Sequence, residues 1–281
     1  MRLLVVGATG ILGRALVVEA RRRGWEVQGT CHERPPEGPG LEGVPVTPLA
    51  AHDLEQVRRL LVRVRPAAVV NAAGLTRARC HDARQAWLTN AYVPRILFAC
   101  TRALEARLVH VSTDCVFRGD RGPYWESDRP DARDVYGRSK AGGELRDPAL
   151  TVRTSFVGRE VGSRHGLLAW LLDQSGRVPG WTNHRWSGLA APCLARILLD
   201  LAISPEVTGL LHVHGQDTTK AELLRLMSRA TGHLVEVEDV AAGCAIDRRL
   251  RSSRLCELGI QVPPLADQLE ELAAFLRGGS S

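Results

Sequence analysis

Lysine and tyrosine are nearly missing from this chain. Of its 281 residues only Lys140 and Lys220 are lysine, and three are tyrosine. Every other basic position apart from histidine is arginine. No run of about 18 apolar residues occurs, which excludes a transmembrane helix. No long basic block occurs either, and acidic residues are interspersed. The net charge of +6 therefore fits anionic small ligands better than nucleic acid. Seven cysteines are an odd number and none sits at C-x-x-C spacing, so they read as free thiols of a cytoplasmic protein with no zinc or other metal site. The opening "MRLLVVGATGILG" has no extended basic region and is broken by glycines, unlike a signal peptide.

What is present is 44% hydrophobic and strongly patterned. "RLLVV" (2–6) is a buried-strand run, and 11–23 follows with helical spacing. "WEVQGT" (25–30), "AAVVNAAG" (67–74), "RLVHVSTD" (107–114) and "LTVRTSFVG" (150–158) read as further strands. Helices are expected at 53–66, ending at Pro66, and at 83–106, interrupted near Pro94. This alternation predicts an α/β chain with a Rossmann-type, doubly wound parallel sheet. Beyond residue 150 helices are expected at 165–174, 193–202, 218–232 and 263–279, with "SGRVPGWTNHRWSG" (175–188) as a loop. The expected division is a dinucleotide-binding domain over 1–158, with a returning segment near 184–214. A smaller, mostly helical part over 159–183 and 215–281 binds substrate.

"GATGILG" (7–13) lies between the first strand and the first helix. Glycines there let backbone amides approach a pyrophosphate while the helix points its N-terminus at the charge. Gly7, Thr9, Gly10, Ile11, Leu12 and Gly13 are thus candidate cofactor contacts. The end of the second strand selects NAD or NADP, and Thr30 occupies it, followed by His32, Glu33 and Arg34. Arg34 favours a 2′-phosphate and hence NADPH, with NAD as the other option. Asp53, Leu54, Ala72, Ala73 and Gly74 fall where the adenine and ribose pass the carboxyl ends of the strands. Asp53 serves equally well as a helix cap.

"VYGRSK" (135–140) places Tyr136 and Lys140 four residues apart, on one helical face. Chance pairing at this spacing is roughly 2% given so few of either residue, too small to ignore a functional reading. A phenol with an unperturbed pKa near 10 needs help to exchange a proton at neutral pH. A neighbouring ammonium and an oxidised nicotinamide are expected to lower that pKa. A compact ammonium fits beside a ribose where the planar arginine fork does not. Lys220, at a helix start, reads as surface. Thr113, just after a strand, is placed to hydrogen-bond a substrate carbonyl.

Together, "GATGILG", "NAAGLT", "VSTDCVF", Tyr124-x-Glu126-x-Asp128, "YGRSKAGGE" and "VRTSFVG" resemble the extended short-chain dehydrogenase/reductase family. Within it they are most similar to the dTDP-4-dehydrorhamnose reductase group. "RRLRSSRLCELGI" (248–260) resembles the group's substrate-side signature. The resemblance implies reduction of the 4-keto group of a nucleotide-linked 4-keto-6-deoxy sugar, in deoxysugar or polysaccharide biosynthesis. Tyr136 would give the proton, Lys140 would hold the nicotinamide ribose and Thr113 would orient the carbonyl. Thr76, Ser112, Asp114, Cys115, Trp181 and Arg251 would meet the substrate. The group has tyrosine where this chain has Cys115, so a sugar contact differs. Dehydratases need an Asp-Glu pair after the threonine, and here Asp114 is followed by Cys115. An epimerase and a non-catalytic NADP-binding regulatory subunit are the alternatives. A homodimer is compatible with the resemblance.

Overall fold

The computed structural model describes residues 1–33, 40–159 and 166–278. In chain order the first half runs β1 (Arg2–Val6), α1 (Ile11–Arg22), β2 (Glu26–Cys31), β3 (Val46–Pro48), α2 (Leu54–Val64), β4 (Ala68–Asn71), α3 (Ala83–Trp87), α4 (Val93–Ala103), β5 (Arg107–Val111), α5 (Val135–Gly142) and β6 (Leu150–Arg153). The second half runs β7 (Phe156–Val157), α6 (Leu167–Leu172), β8 (Arg177–Trp181), β9 (His184–Trp186), β10 (Leu189–Ala190), α7 (Ala191–Ala202), β11 (Gly209–His212), β12 (Thr218–Thr219), α8 (Lys220–Thr231), β13 (Glu236–Val240), β14 (Ile246–Asp247), α9 (Ser253–Glu257) and α10 (Leu265–Gly278).

Seven strands pair in the order β11-β6-β5-β4-β1-β2-β3, all parallel. Side chains alternate across this sheet, so both of its faces are apolar and both are covered. Leu3, Val5, Val70 and Val109 face α1 and α7, while Leu4, Val6, Val69 and Leu108 face α2 and α4. β1 sits between β2 and β4, so the strand order reverses there and opens a crevice at the carboxyl edge. A third cluster joins α6, α8 and α10 through Leu168, Leu171, Leu223, Met227, Leu265 and Leu269.

Two expectations fail. The strand expected over 150–158 breaks at Thr154–Ser155: β6 stays in the main sheet and β7 pairs with β10 instead. The expected loop 175–188 contains β8 and β9. β8 pairs with β13, and β9 pairs with both β12 and β14. Their partners lie more than thirty residues away, so local composition carries no sign of the pairing. The interruption near Pro94 takes the form of a π-helical segment, Leu88–Tyr92, leading straight into α4. Among the described residues no helix is long and apolar enough to cross a membrane.

Candidate active site

The glycine loop closes tightly onto the β4 loop. Gly7 has φ +83°, and a Cβ there would lie 2.8 Å from the backbone of Ala73. A Cβ at Gly13 would reach within 2.0 Å of the Gly7 carbonyl, so α1 packs directly on the loop. Gly10 caps α1 without a side-chain hydrogen bond, and the first turn of α1 carries no acidic residue. Its amides therefore point, uncapped, into the crevice, the environment a pyrophosphate requires. Val6, Gly7, Thr9, Gly10, Cys31, His32, Ala51, His52, Ala72, Ala73 and Gly74 belong to the wall of one cavity of ≈ 570 Å³.

That cavity continues into a second, of ≈ 330 Å³, sharing Gly10, Ala72, Ala73, Gly74, Leu75 and Arg79 with it. Ile11, Leu12, Thr76, Ser112, Thr113, Asp114, Cys115, Tyr136 and Lys140 line the second cavity. Helix α5 starts at the cap Asp134, whose carboxylate accepts the Gly137 amide at 2.9 Å. A Cβ at Gly137 would meet the Cys115 carbonyl at 2.2 Å. The glycine between the tyrosine and the lysine thus lets α5 lie against the Thr113–Cys115 turn. Thr113 Oγ1 accepts the Cys115 amide at 3.2 Å, donates to Asp114 Oδ1 at 3.3 Å and is hydrogen-bonded to the Tyr136 phenol.

Lys140 is buried, and its Nζ donates to the Val111 carbonyl at 2.7 Å. Burial lowers its pKa to about 8, with Glu144 opposing. Tyr136 departs from expectation. Burial, reinforced by Cys115, raises its pKa, while the Thr113 hydrogen bond opposes the rise. The lysine's ammonium is directed at a strand carbonyl, so the Thr113 hydrogen bond is what offsets the desolvation of a phenolate.

Other expected contacts fall elsewhere. Asp53 is a cap: its carboxylate accepts the Glu55 and Gln56 amides at 2.9 and 3.1 Å. Leu54 is solvent-exposed, and neither residue lines either cavity. Thr30 is buried, with its hydroxyl accepting the Gly7 amide at 3.3 Å, so it braces the glycine loop and also lines the cavity beside Cys31 and His32. Arg34 lies outside the described residues. Trp181 is exposed and packs against His184 at a tilt of 57°, 4.5 Å between centroids, and Arg251 is engaged by Asp217 at 2.5 and 2.9 Å. Neither lines the two cavities.

Three contributions were missed. Asn90, inside the π-helical segment, accepts the Leu75 amide at 2.8 Å and donates to the Leu75 carbonyl and to Ser139. It pins the "NAAGL" loop to α5. Ser155 and Phe156, where the expected strand breaks, line the reaction cavity. Glu144 pairs through both oxygens with buried Arg153, at 2.7 and 2.8 Å, and accepts the Ser112 hydroxyl. Glu144, Ser155 and Phe156 lie within the motifs "YGRSKAGGE" and "VRTSFVG" without being singled out, and for Asn90 the helix interruption near Pro94 was the one advance sign.

A parallel sheet with a glycine cradle at its switch point, and a Thr–Tyr–Lys set beside it, defines an oxidoreductase of the short-chain dehydrogenase/reductase type. The chain belongs to the RmlD substrate-binding domain family, whose pattern matches residues 1–240. It is 31% identical to a probable low-salt glycan biosynthesis reductase, Agl14, of Haloferax volcanii, over the full length of both chains. It is 33% identical to a probable dTDP-4,6-dihydroxy-2-methyloxan-3-one 4-ketoreductase of Streptomyces antibioticus, covering 75% of this chain and 70% of that one. It is also 31% identical to the methionine adenosyltransferase 2 subunit beta of Xenopus tropicalis, over 92% and 83%. The fold matches the dTDP-4-dehydrorhamnose reductase of Bacillus anthracis solved with NADP, with a TM-score of 0.78 at 23% identity over 96% and 98% of the two chains.

Proposed function

We propose that this protein reduces the 4-keto group of a nucleotide-linked 4-keto-6-deoxy sugar with NADPH, in the biosynthesis of a deoxysugar. The observation that carries this is the shared cavity: Thr113, Tyr136 and Lys140 line one space that continues into the glycine cradle. The cradle fits a dinucleotide because its glycines leave backbone amides bare and the α1 N-terminus is uncapped. The bound cofactor supplies the hydride received by the carbonyl carbon.

Thr113 and Tyr136 hold the carbonyl oxygen. Tyr136 then gives its phenolic proton to that oxygen as negative charge develops on it. Its raised pKa keeps it in the donor form at neutral pH. An alkoxide is a stronger base than a phenolate, so the transfer is downhill once charge has formed. Lys140, fixed by the Val111 carbonyl, would hold the ribose beside the phenol, and the Thr113 hydrogen bond stabilises the phenolate left behind. Solvent returns the proton.

The test is purified protein with NADPH and a dTDP-linked 4-keto-6-deoxyhexose. NADPH oxidation matched by formation of the 4-hydroxy sugar is expected. Tyr136→Phe lowers kcat by about 10²–10⁴-fold and leaves the NADPH dissociation constant within about twofold. Wild-type turnover in that variant rejects Tyr136 as the acid. The likeness to the methionine adenosyltransferase beta subunit favours a second reading, an NADP-binding regulator. Cofactor binding without oxidation of NADPH by any such sugar supports that reading instead.

A further inference from the structure

The second lysine is not a surface residue. Lys220 opens α8, directly after its cap Thr219, and is half-buried. β12 pairs antiparallel with β9, Thr218 opposite Trp186 and Thr219 opposite Arg185. That register carries Lys220 over the indole, with Nζ 5.0 Å from the ring centroid. Trp186 is itself buried, and its Nε1 donates to Ser155 Oγ at 2.7 Å. Ser155 lines the reaction cavity, so the indole is a rigid floor tied to that cavity's wall.

Among the described residues no oxygen accepts a hydrogen bond from Lys220 Nζ, and its one close partner is the indole face. The charges it feels sit on the cavity side. Burial lowers its pKa, Asp114 and Cys115 oppose, and Arg248 adds to the lowering. Asp114 and Cys115 line the cavity next to Thr113. Among the described residues the Arg248 guanidinium donates only to the Phe117 and Arg118 carbonyls, at 2.9 Å each, and has no carboxylate partner. Lys220 over Trp186 and Arg248 against residues 117 and 118 therefore stand near the Asp114–Cys115 turn, two cations near a single carboxylate. A half-buried ammonium with no acceptor is unfavourable unless an anion arrives to meet it.

Thr113, Tyr136, Asp114 and Cys115 border the cavity, and Lys220 and Arg248 lie past Asp114 and Cys115, outside the residues that line it. A nucleotide sugar presents a matching series: the reacting carbonyl, the ring, then the diphosphate on its anomeric carbon. We propose that Lys220, seated on Trp186, is a specificity-determining residue that holds the diphosphate of the sugar nucleotide. This rests on the reductase reading of the cavity. Lys220 takes no part in hydride or proton transfer.

Calorimetric titration of the NADPH-loaded protein tests it. Thymidine and uridine mono- and diphosphates serve as probes against wild type, Lys220→Met and Lys220→Arg. One charge-assisted contact corresponds to about a tenfold to hundredfold change in affinity. Wild type is expected to prefer the diphosphate to the monophosphate. Lys220→Met loses that preference by about tenfold or more, Lys220→Arg recovers part of it, and NADPH affinity stays within about twofold in both. In turnover, KM for the sugar nucleotide rises in Lys220→Met while kcat holds. Equal diphosphate affinity in wild type and Lys220→Met overturns the assignment, and if wild type still reduces the sugar, the reductase reading survives alone. A wild type that neither binds diphosphate nor oxidises NADPH overturns both. Diphosphate binding that depends on Lys220, without turnover, supports the assignment and rejects the reductase.

Discussion

At the scale of single residues, Lys140 shows how function conflicts with stability. Its ammonium is buried against the sheet, and its pKa falls from 10.5 to about 8. The unfolded chain keeps this proton up to about pH 10.5, whereas the folded chain releases it near 8. Below about pH 8 folding carries the full desolvation penalty, and the penalty fades as pH rises toward 10.5. Lys140→Met removes it, at the loss of the hydrogen bond to the Val111 carbonyl, worth about 1 kcal/mol. The variant without cofactor is expected to be more stable than wild type at pH 7, by on the order of 1–2 kcal/mol. That advantage shrinks by pH 9.5, and NADPH binds more weakly. Urea unfolding at both pH values checks this, and a difference that does not vary with pH rejects the buried-charge account. The Tyr136–Lys140 pair was legible beforehand because its geometry is local: four residues in a helix fix a shared face. Lys220 was not, because its indole floor comes from a strand 34 residues earlier, through a pairing that no local pattern announces. Asp53 shows the converse limit, since an acid before a helix satisfies a cap as readily as a ribose.

At the scale of elements, the site is made by close approaches that only glycine permits. α5 lies against the Thr113–Cys115 turn because position 137 has no side chain. Gly137→Ala puts a Cβ 2.2 Å from the Cys115 carbonyl and 2.4 Å from the Ala132 methyl. Both neighbours belong to packed structure, so the helix must move. A loss of about 1–3 kcal/mol is expected. A fall in kcat larger than the change in NADPH affinity should accompany it, because Tyr136 and Thr113 separate while the glycine cradle is untouched. Thermal unfolding and steady-state kinetics read the two effects, and unchanged kcat in a destabilised variant would show that the turn and helix shift together. The central βαβ elements were legible because parallel strands buried on both faces are continuous apolar runs. β8 and β9 were not: β8 contains Pro179 and Gly180, β9 is three residues long, and all their partners are distant.

At the scale of the whole molecule, the C-terminal part is joined to the sheet by polar contacts at the carboxyl ends of β5, β6 and β11. Arg153 on β6 binds Glu144 and reaches the His212 ring on β11 at 3.3 Å. The His212 amide donates to Glu126, which also accepts the Ser252 hydroxyl. Tyr124 exchanges backbone hydrogen bonds with Arg249 and Arg251 at 2.8 Å each. Residues 121–130 and 247–252 are thereby one unit with the sheet edge. Removing a buried charge's partner typically costs about 3–5 kcal/mol, so Glu144→Gln is expected to lower stability by that order. The same connections predict a single cooperative thermal transition, with equal calorimetric and van't Hoff enthalpies. NADPH at a hundred times its dissociation constant adds about 2.7 kcal/mol, moving that one transition up by about 5 °C. If the C-terminal part folded by itself, calorimetry would resolve two transitions, and NADPH would raise only the one belonging to the glycine cradle. A joint shift is expected because the cradle and the proposed substrate part are held by the same buried network.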